Sequence, residues 1–191
     1  MATAGPLFLQ DVWTYYFHDP EDSNWNHDSY IRLGDVCSAE DFWEYHAATA
    51  KYINRGMFFV MREHVYPCWD DKYNITGGCM SMKVLKDDLP AFWEHLLVHM
   101  LGERLLLHNT EDDDGGDTWS VINGISVSPK RCFCIVKLWL RNERFTDKRA
   151  FRLPDSYSGE VLYRTNTENI KGNNEAIARG SGIRLCAEPS K

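Results

Sequence analysis

Two tryptophans stand in polar surroundings where no core pattern calls for them. Trp69 sits in Pro67-Cys68-Trp69-Asp70-Asp71, and Trp25 is the single large apolar side chain of the run His18–Ser29. An indole in a polar loop has two physical uses: stacking on a flat ligand, or lidding a local cluster at a sheet edge. An indole beside a carboxylate suits a purine, because the ring stacks while the acid accepts from the purine's N–H edge. A positively charged purine, such as guanine methylated at N7, would gain about 1–2 kcal/mol of cation–π attraction from a second indole once desolvated. The residues alone leave both uses open.

Other groups could also carry chemistry. Lys130 and Arg131 follow Pro129 at a predicted hairpin tip, with Lys137 further along the strand. Such cations grip phosphates as point charge and fork, or simply solvate a turn. His95, His99 and Glu103 recur at helical spacing, but the order is Glu-His-x-x-x-His, which places no glutamate as general base. No metal site is expected there. The six cysteines form no Cys-x-x-Cys pair, and there is no phosphate-binding glycine loop or nucleophile elbow. No cofactor and no enzymatic activity are expected. Phe42 and Trp43 are adjacent on a predicted helix, about 100° apart, so one of them faces outward as a candidate partner anchor.

The elements that must position these groups follow from pattern. Val12–Phe17 (VWTYYF), Tyr30–Val36, Met57–Arg62, Cys79–Leu85, Val121–Val127, Cys132–Leu140 and Val161–Asn166 read as strands. Ser38 caps a helix running to about Lys51, with Asp41 completing a near capping box. Leu89–Leu105 is a second helix, with Pro90 in its first turn and Phe92, Trp93, Leu96, Leu97 and Met100 on one stripe. An acidic loop, Glu111–Asp117, follows it. Asn142–Ala150 is expected as a short helix and residues 167–191 as a mobile loop or strand region. The expected fold is a single α+β domain over residues 9–191, behind a flexible tail of residues 1–8. Its curved antiparallel sheet is backed by helices on the convex face.

Composition narrows the class further. The 191 residues are 43% hydrophobic and 26% charged, enough to bury a real core. No stretch reaches the ~18 apolar residues of a membrane span. The opening MATAGPLFLQD lacks the basic segment and apolar core of a signal peptide, so reduced thiols and a cytoplasmic, or also nuclear, location are expected. Aromatic residues reach 13%, more than a small core needs. Charge is lopsided: residues 1–129 hold 8 Lys/Arg against 21 Asp/Glu, and residues 130–191 hold 13 against 7. A basic third on a protein of net charge −7 suits a phosphate-facing edge, or an uneven solvated surface.

Together these motifs resemble the translation initiation factor 4E family, which recognises the 7-methylguanosine cap of messenger RNA. The resemblance spans roughly Leu9 to Asn166. It rests on VWTYYF, on Trp25 after the loop, on AEDFW at Ala39–Trp43 and on PCWDDKYNITGG at Pro67–Gly78. The spacing of Phe92–Glu103 and the strand residue Trp139 complete it. It implies a cupped-hand fold and a role in recruiting capped messenger RNA. Trp25 and Trp69 would sandwich the methylated base, Asp70 would accept from its N–H edge, and Trp139 would touch the N7-methyl group. Lys130, Arg131 and Lys137 would hold the phosphates. Leu9, Ala39, Trp43, Glu94 and Val98 would form the dorsal face that binds a scaffold of the factor 4G type or a competing repressor. The chain would act as a monomer within a heteromeric complex, away from any membrane.

This chain departs from the family pattern at several of these positions. Asp70 stands where the family has glutamate, and Cys79-Met80 replace an Arg-Trp pair. Ile135 occupies a phosphate-contacting lysine position, and the third dorsal helix is cut short between Trp139 and Leu153. Ala39 replaces a valine, while Glu94 and His95 replace a leucine and a glutamate. The resemblance is to a divergent member, with a cap-binding translational repressor or specialised isoform, or a protein-interaction adapter that has lost cap binding, as alternative roles.

Overall fold

The computed structural model describes residues 5–107 and 121–180. Seven strands form one antiparallel sheet: β1 (Phe8–His18), β2 (Ile31–Ser38), β3 (Met57–Arg62), β4 (Gly78–Leu85), β5 (Ile122–Pro129), β6 (Phe133–Leu140) and β7 (Val161–Thr165). Their order across the curved sheet is β2-β1-β3-β5-β6-β4-β7. The helices are α1 (Ala39–Thr49), α2 (Leu89–Leu101) and α3 (Asn166–Ala178).

Alternation along the strands divides the interior into two layers. Phe58 and Val60 of β3 and Val136, Leu138 and Leu140 of β6 enter the larger core, which α2 completes with Phe92, Trp93, Leu96, Leu97 and Met100. Met57, Phe59 and Met61 of β3, with Trp139 of β6 and Cys79 of β4, point to the opposite, concave face. Thus β3 is buried on both sides and reads as a continuous apolar run.

The start of α1 is fixed by the Ser38–Asp41 capping box. Ser38 Oγ accepts from the Asp41 amide at 3.1 Å, and the Asp41 carboxylate accepts from the Ser38 and Cys37 amides at 3.0 Å. The Cys37 amide, then the Ser38 hydroxyl, hold the Asp41 carboxyl below the usual carboxylate range. As the 100° offset requires, Phe42 is buried and its neighbour Trp43 is 50% exposed.

Four expectations are corrected. Residues 7 and 8 are not a free tail: Leu7 donates its amide to the Glu40 carboxylate and accepts from the Ala39 amide, and Phe8 opens β1. Helix α2 stops at Leu101, short of Leu105, because Gly102 caps it and Glu103 takes a left-handed φ of 52°. The Glu103 carboxylate then meets the buried Arg62 guanidinium at 3.2 Å. Residues 142–150 contain only a single 3-10 turn, Lys148–Ala150. Residues 167–178, expected within a loop or strand region, belong to α3, which begins at Asn166, the expected end of the last strand, behind a capping box between Thr165 and Glu168. The acidic loop at residues 111–117 lies outside the described residues.

Arg62 also donates to Ile122 O at 2.7 Å and to Asp11, and lies over the Trp13 ring at 4.4 Å, so it ties β1, β3, β5 and the end of α2 together. Glu103 is thereby engaged away from His95 and His99. His95 Nε2 instead donates to Arg152 O at 3.0 Å.

Candidate functional site

The concave face carries a cavity of about 240 Å³. Its lining includes the aromatic residues Trp25, Trp69, Trp139 and Phe59, with Met57, and the cations Lys130 and Lys137, with Ser126 and Ser128. The two loop tryptophans read from sequence are therefore brought to one pocket.

Trp25 belongs to the loop between β1 and β2. Its ring stacks on His18 at 4.0 Å and 15°. His18 is fully buried at the end of β1, and its Nε2 lies 2.9 Å from Asn24 O. A carbonyl only accepts, so Nε2 is the donor, while Nδ1 is buried with no hydrogen-bond partner among the described residues. The loop itself is turned by side chains: Asp22 accepts from the Asn24 amide, and Asn26 caps the 3-10 turn His27–Ser29. The Tyr66 hydroxyl donates to His27 O at 2.6 Å, which fastens this loop to the one that carries Trp69.

Trp69 is held by a buried amide relay. Asn74, 0% exposed, donates to Tyr66 O at 2.9 Å and Cys68 O at 2.8 Å, gripping the chain just before Trp69. Its own Oδ1 accepts from Asn123 of β5 at 2.9 Å, and its carbonyl accepts from Asn166 at the start of α3 at 2.8 Å. Gly77 and Gly78 end the loop where a Cβ would strike the carbonyls of Leu140 and Arg164.

The two adjacent carboxylates have different tasks. Asp71 accepts from the Tyr73 amide at 2.9 Å, and burial raises its pKa while the Tyr73 and Tyr66 amides oppose the rise. Asp70 is exposed beside Trp69, outside the cavity lining, and has no hydrogen-bond partner among the described residues.

Within the lining, Trp139 Nε1 donates to Ser126 Oγ at 2.9 Å, which fixes the edge of the indole. Lys137 is half-buried, with Nζ 5.1 Å from the centroid of the Trp69 ring. Burial pulls its ammonium pKa down, and the like charges of Lys130 and Arg164 push the same way against Cys79. The Cys79 thiol is pushed up to about 12 by burial and is no anion at neutral pH. Arg131, at the hairpin tip, is exposed and does not line the cavity.

On the opposite face, α1 and α2 bring Trp43 and Glu94 together through His46. His46 Nε2 lies 3.0 Å from Glu94 Oε2, and its ring meets Trp43 edge-on at 5.6 Å. Val98, one turn beyond Glu94, is exposed, while Leu9 and Ala39 are half-buried, Leu9 against the helix-side core. The sequence did not single out His18, His46, Arg164, Asn74, Asn123 or Asn166. For Asn74 a usable signal was its place three residues before the Gly77-Gly78 pair that closes the tryptophan loop.

The fold and the site define a helix-backed, cupped antiparallel sheet with an aromatic, cation-edged pocket on its hollow face. The chain belongs to the eukaryotic initiation factor 4E family, whose model matches residues 8–176. It is 25% identical over 141 residues to translation initiation factor 4E-1 of barley, covering 70% of this chain and 60% of that protein. It is 23% identical over 158 residues to translation initiation factor NCBP of rice, covering 76% and 64% respectively. The chain thus spans less than two thirds of the length of these curated relatives. Among solved structures, eIF4E-3 of C. elegans, in a complex with the 4E-binding protein Mextli and a cap analog, superposes with a TM-score of 0.71 at 20% identity, over 87% of this chain and 96% of that one. A schistosome eIF4E, in complex with m7GpppG and 4E-BP, superposes with a TM-score of 0.67 at 19% identity, over 87% and 92%.

Proposed function

We propose that this chain binds the 7-methylguanosine cap of messenger RNA in the concave pocket, as a cytoplasmic binding protein and not an enzyme. Its dorsal face then engages a helical protein partner. The observation that carries this reading is the convergence of Trp25, Trp69 and Trp139 on one cavity edged by Lys130 and Lys137. Two indoles facing a cationic ring favour a methylated over a neutral guanine by about tenfold or more. The test is a titration of tryptophan fluorescence with 7-methyl-GTP against GTP, and equal affinities would overturn the reading.

Asp70 is the carboxylate left to meet the N–H edge of the base, because Asp71 is engaged by its own loop. Asp70→Asn removes the charge and is expected to weaken 7-methyl-GTP binding about tenfold, as loss of charge-assisted bonds does. Asp71→Asn binding worse than Asp70→Asn would reverse the assignment.

Lys137 makes an unusual prediction. Its ammonium rests on Trp69, the surface that a cationic base would use, yet phosphates entering the pocket would draw it off. Lys137→Met is expected to weaken 7-methyl-GTP about tenfold and to strengthen the phosphate-free nucleoside about threefold. Isothermal titration with both ligands checks this, and a change of the same sign for both would show that the lysine does not exchange between indole and phosphate.

A further inference from the structure

The concave face continues past the pocket onto strands β6, β4 and β7, where the register sets out a second surface. Trp139 of β6 lies opposite Cys79 of β4, which lies opposite Arg164 of β7. Since Trp139 and Cys79 belong to the concave layer, Arg164 shares their face. Two residues on, Lys137 stands opposite Ser81, which stands opposite Leu162. Two further on, Ile135 faces Lys83, and after them Phe133 faces Leu85. The surface therefore begins beside the cavity-lining Lys137 and runs without a break toward the far end of β4 and β6.

Its chemistry is uneven in a telling way. The three strands carry Lys83, Lys137 and Arg164 and not one carboxylate, in a chain of net charge −7. Leu162 is 53% and Leu85 59% exposed on the same face, and Ile135 is half-buried between the cations. Lys83 Nζ lies 4.4 Å from the centre of the Phe133 ring. Alternating cations with apolar and aromatic platforms is the arrangement that holds single-stranded nucleic acid without reading its sequence.

We infer that this surface takes the first nucleotides that follow the cap. Their phosphates lie on Arg164 and Lys83, and their bases or riboses rest on Leu162, Ile135 and Phe133. The inference rests on the cap-binding reading, since the pocket supplies the starting point of the chain. The occupant is single-stranded RNA continuous with the base in the pocket.

The test compares 7-methyl-GTP, a capped RNA octamer and the same octamer uncapped, on the unaltered protein and on Lys83→Glu and Leu162→Asp. Both substituted side chains are exposed, so the fold is expected to persist, and the 7-methyl-GTP affinity reports that it does. The unaltered protein is expected to bind the capped octamer about tenfold more tightly than 7-methyl-GTP, and each variant to lose that gain while keeping its 7-methyl-GTP affinity. The slope of log affinity against log salt for the capped octamer should fall by about 1 in Lys83→Glu. Equal binding of the capped octamer and 7-methyl-GTP by the unaltered protein overturns the inference. So does a loss in Lys83→Glu that is the same for both ligands, because the lysine would then act through the pocket. Failure of the cap reading alone has a different signature: no preference for methylated guanine, with octamer binding that still depends on Lys83.

Discussion

Trp69→Ala is expected to weaken 7-methyl-GTP binding about thirtyfold, close to 2 kcal/mol, and to leave GTP binding much less affected. The asymmetry follows from the two parts of the contact. Stacking on an indole serves any purine, while attraction of a cationic ring to the indole face serves only the methylated one. Trp25→Ala is expected to cost a similar factor in affinity, with a second consequence that Trp69→Ala lacks. Trp25 covers His18, so its truncation removes the ring stacked on that buried side chain and the apolar contact it makes there. The Trp25 variant should therefore also unfold at a lower temperature than the Trp69 variant. Fluorescence titration with both nucleotides, followed by thermal unfolding of each variant, separates these effects. If Trp69→Ala lowers the two affinities by the same factor, the pocket stacks purines without sensing their charge.

The loop that presents Trp69 shows what sequence patterns carry and what they do not. The pairing of an indole with a following acid, closed by two glycines, was legible because each residue type has a local reason to be there. The support beneath it was not. Asn74, Asn123 and Asn166 come from a loop, a strand and the start of a helix, and polar side chains in such places look solvated until the fold closes over them. Strand β3 was legible to the residue, since Met57–Arg62 is apolar and β-prone without interruption before its terminal arginine. Helix α3 was missed for a specific reason. Asn, Gly and Ser between residues 166 and 182 suggested a loop, and outweighed the Thr165–Glu168 spacing, which is a capping-box signature in its own right. For α2, the apolar Leu105 extended the stripe past the Gly102 cap that ends the helix.

The charge imbalance was legible in amount but not in place. Counting assigned the excess cations to residues 130–191, yet Lys83 of β4 joins them only because β4 lies between β6 and β7 in the sheet. Sheet order is a long-range property, and no local pattern in β4 announces its neighbours. The same is true of the dorsal face. Glu94 reads in sequence as an unpaired carboxylate on an exposed helix, and the structure gives it a partner from α1, 48 residues away.

That partner sets the expectation for the dorsal surface. Trp43→Ala is expected to weaken binding of the chain's protein partner about a hundredfold or more, the cost of truncating a central aromatic anchor. It should leave 7-methyl-GTP affinity unchanged, because α1 packs on the face of the sheet opposite the pocket. Glu94 and His46 decide which partner is accepted. A helix that presents only apolar side chains beside Trp43 would have to cover the Glu94 carboxylate and its bond to His46, and burying that pair costs more than it returns unless every polar atom stays satisfied. A helix with a lysine or arginine at that place pairs with the carboxylate and leaves His46 where it is. Glu94→Leu is expected to exchange these preferences, raising affinity for an apolar helix and lowering it for the basic one by about tenfold each. His46 must then lose its own influence, so His46→Phe should matter in the unaltered background and little beside Glu94→Leu, a coupling that a double-mutant cycle measures directly. Calorimetry with two synthetic helices, alike but for one lysine or leucine, decides it. Tight binding of the all-apolar helix by the unaltered protein would show that Glu94 swings clear of the groove and selects nothing.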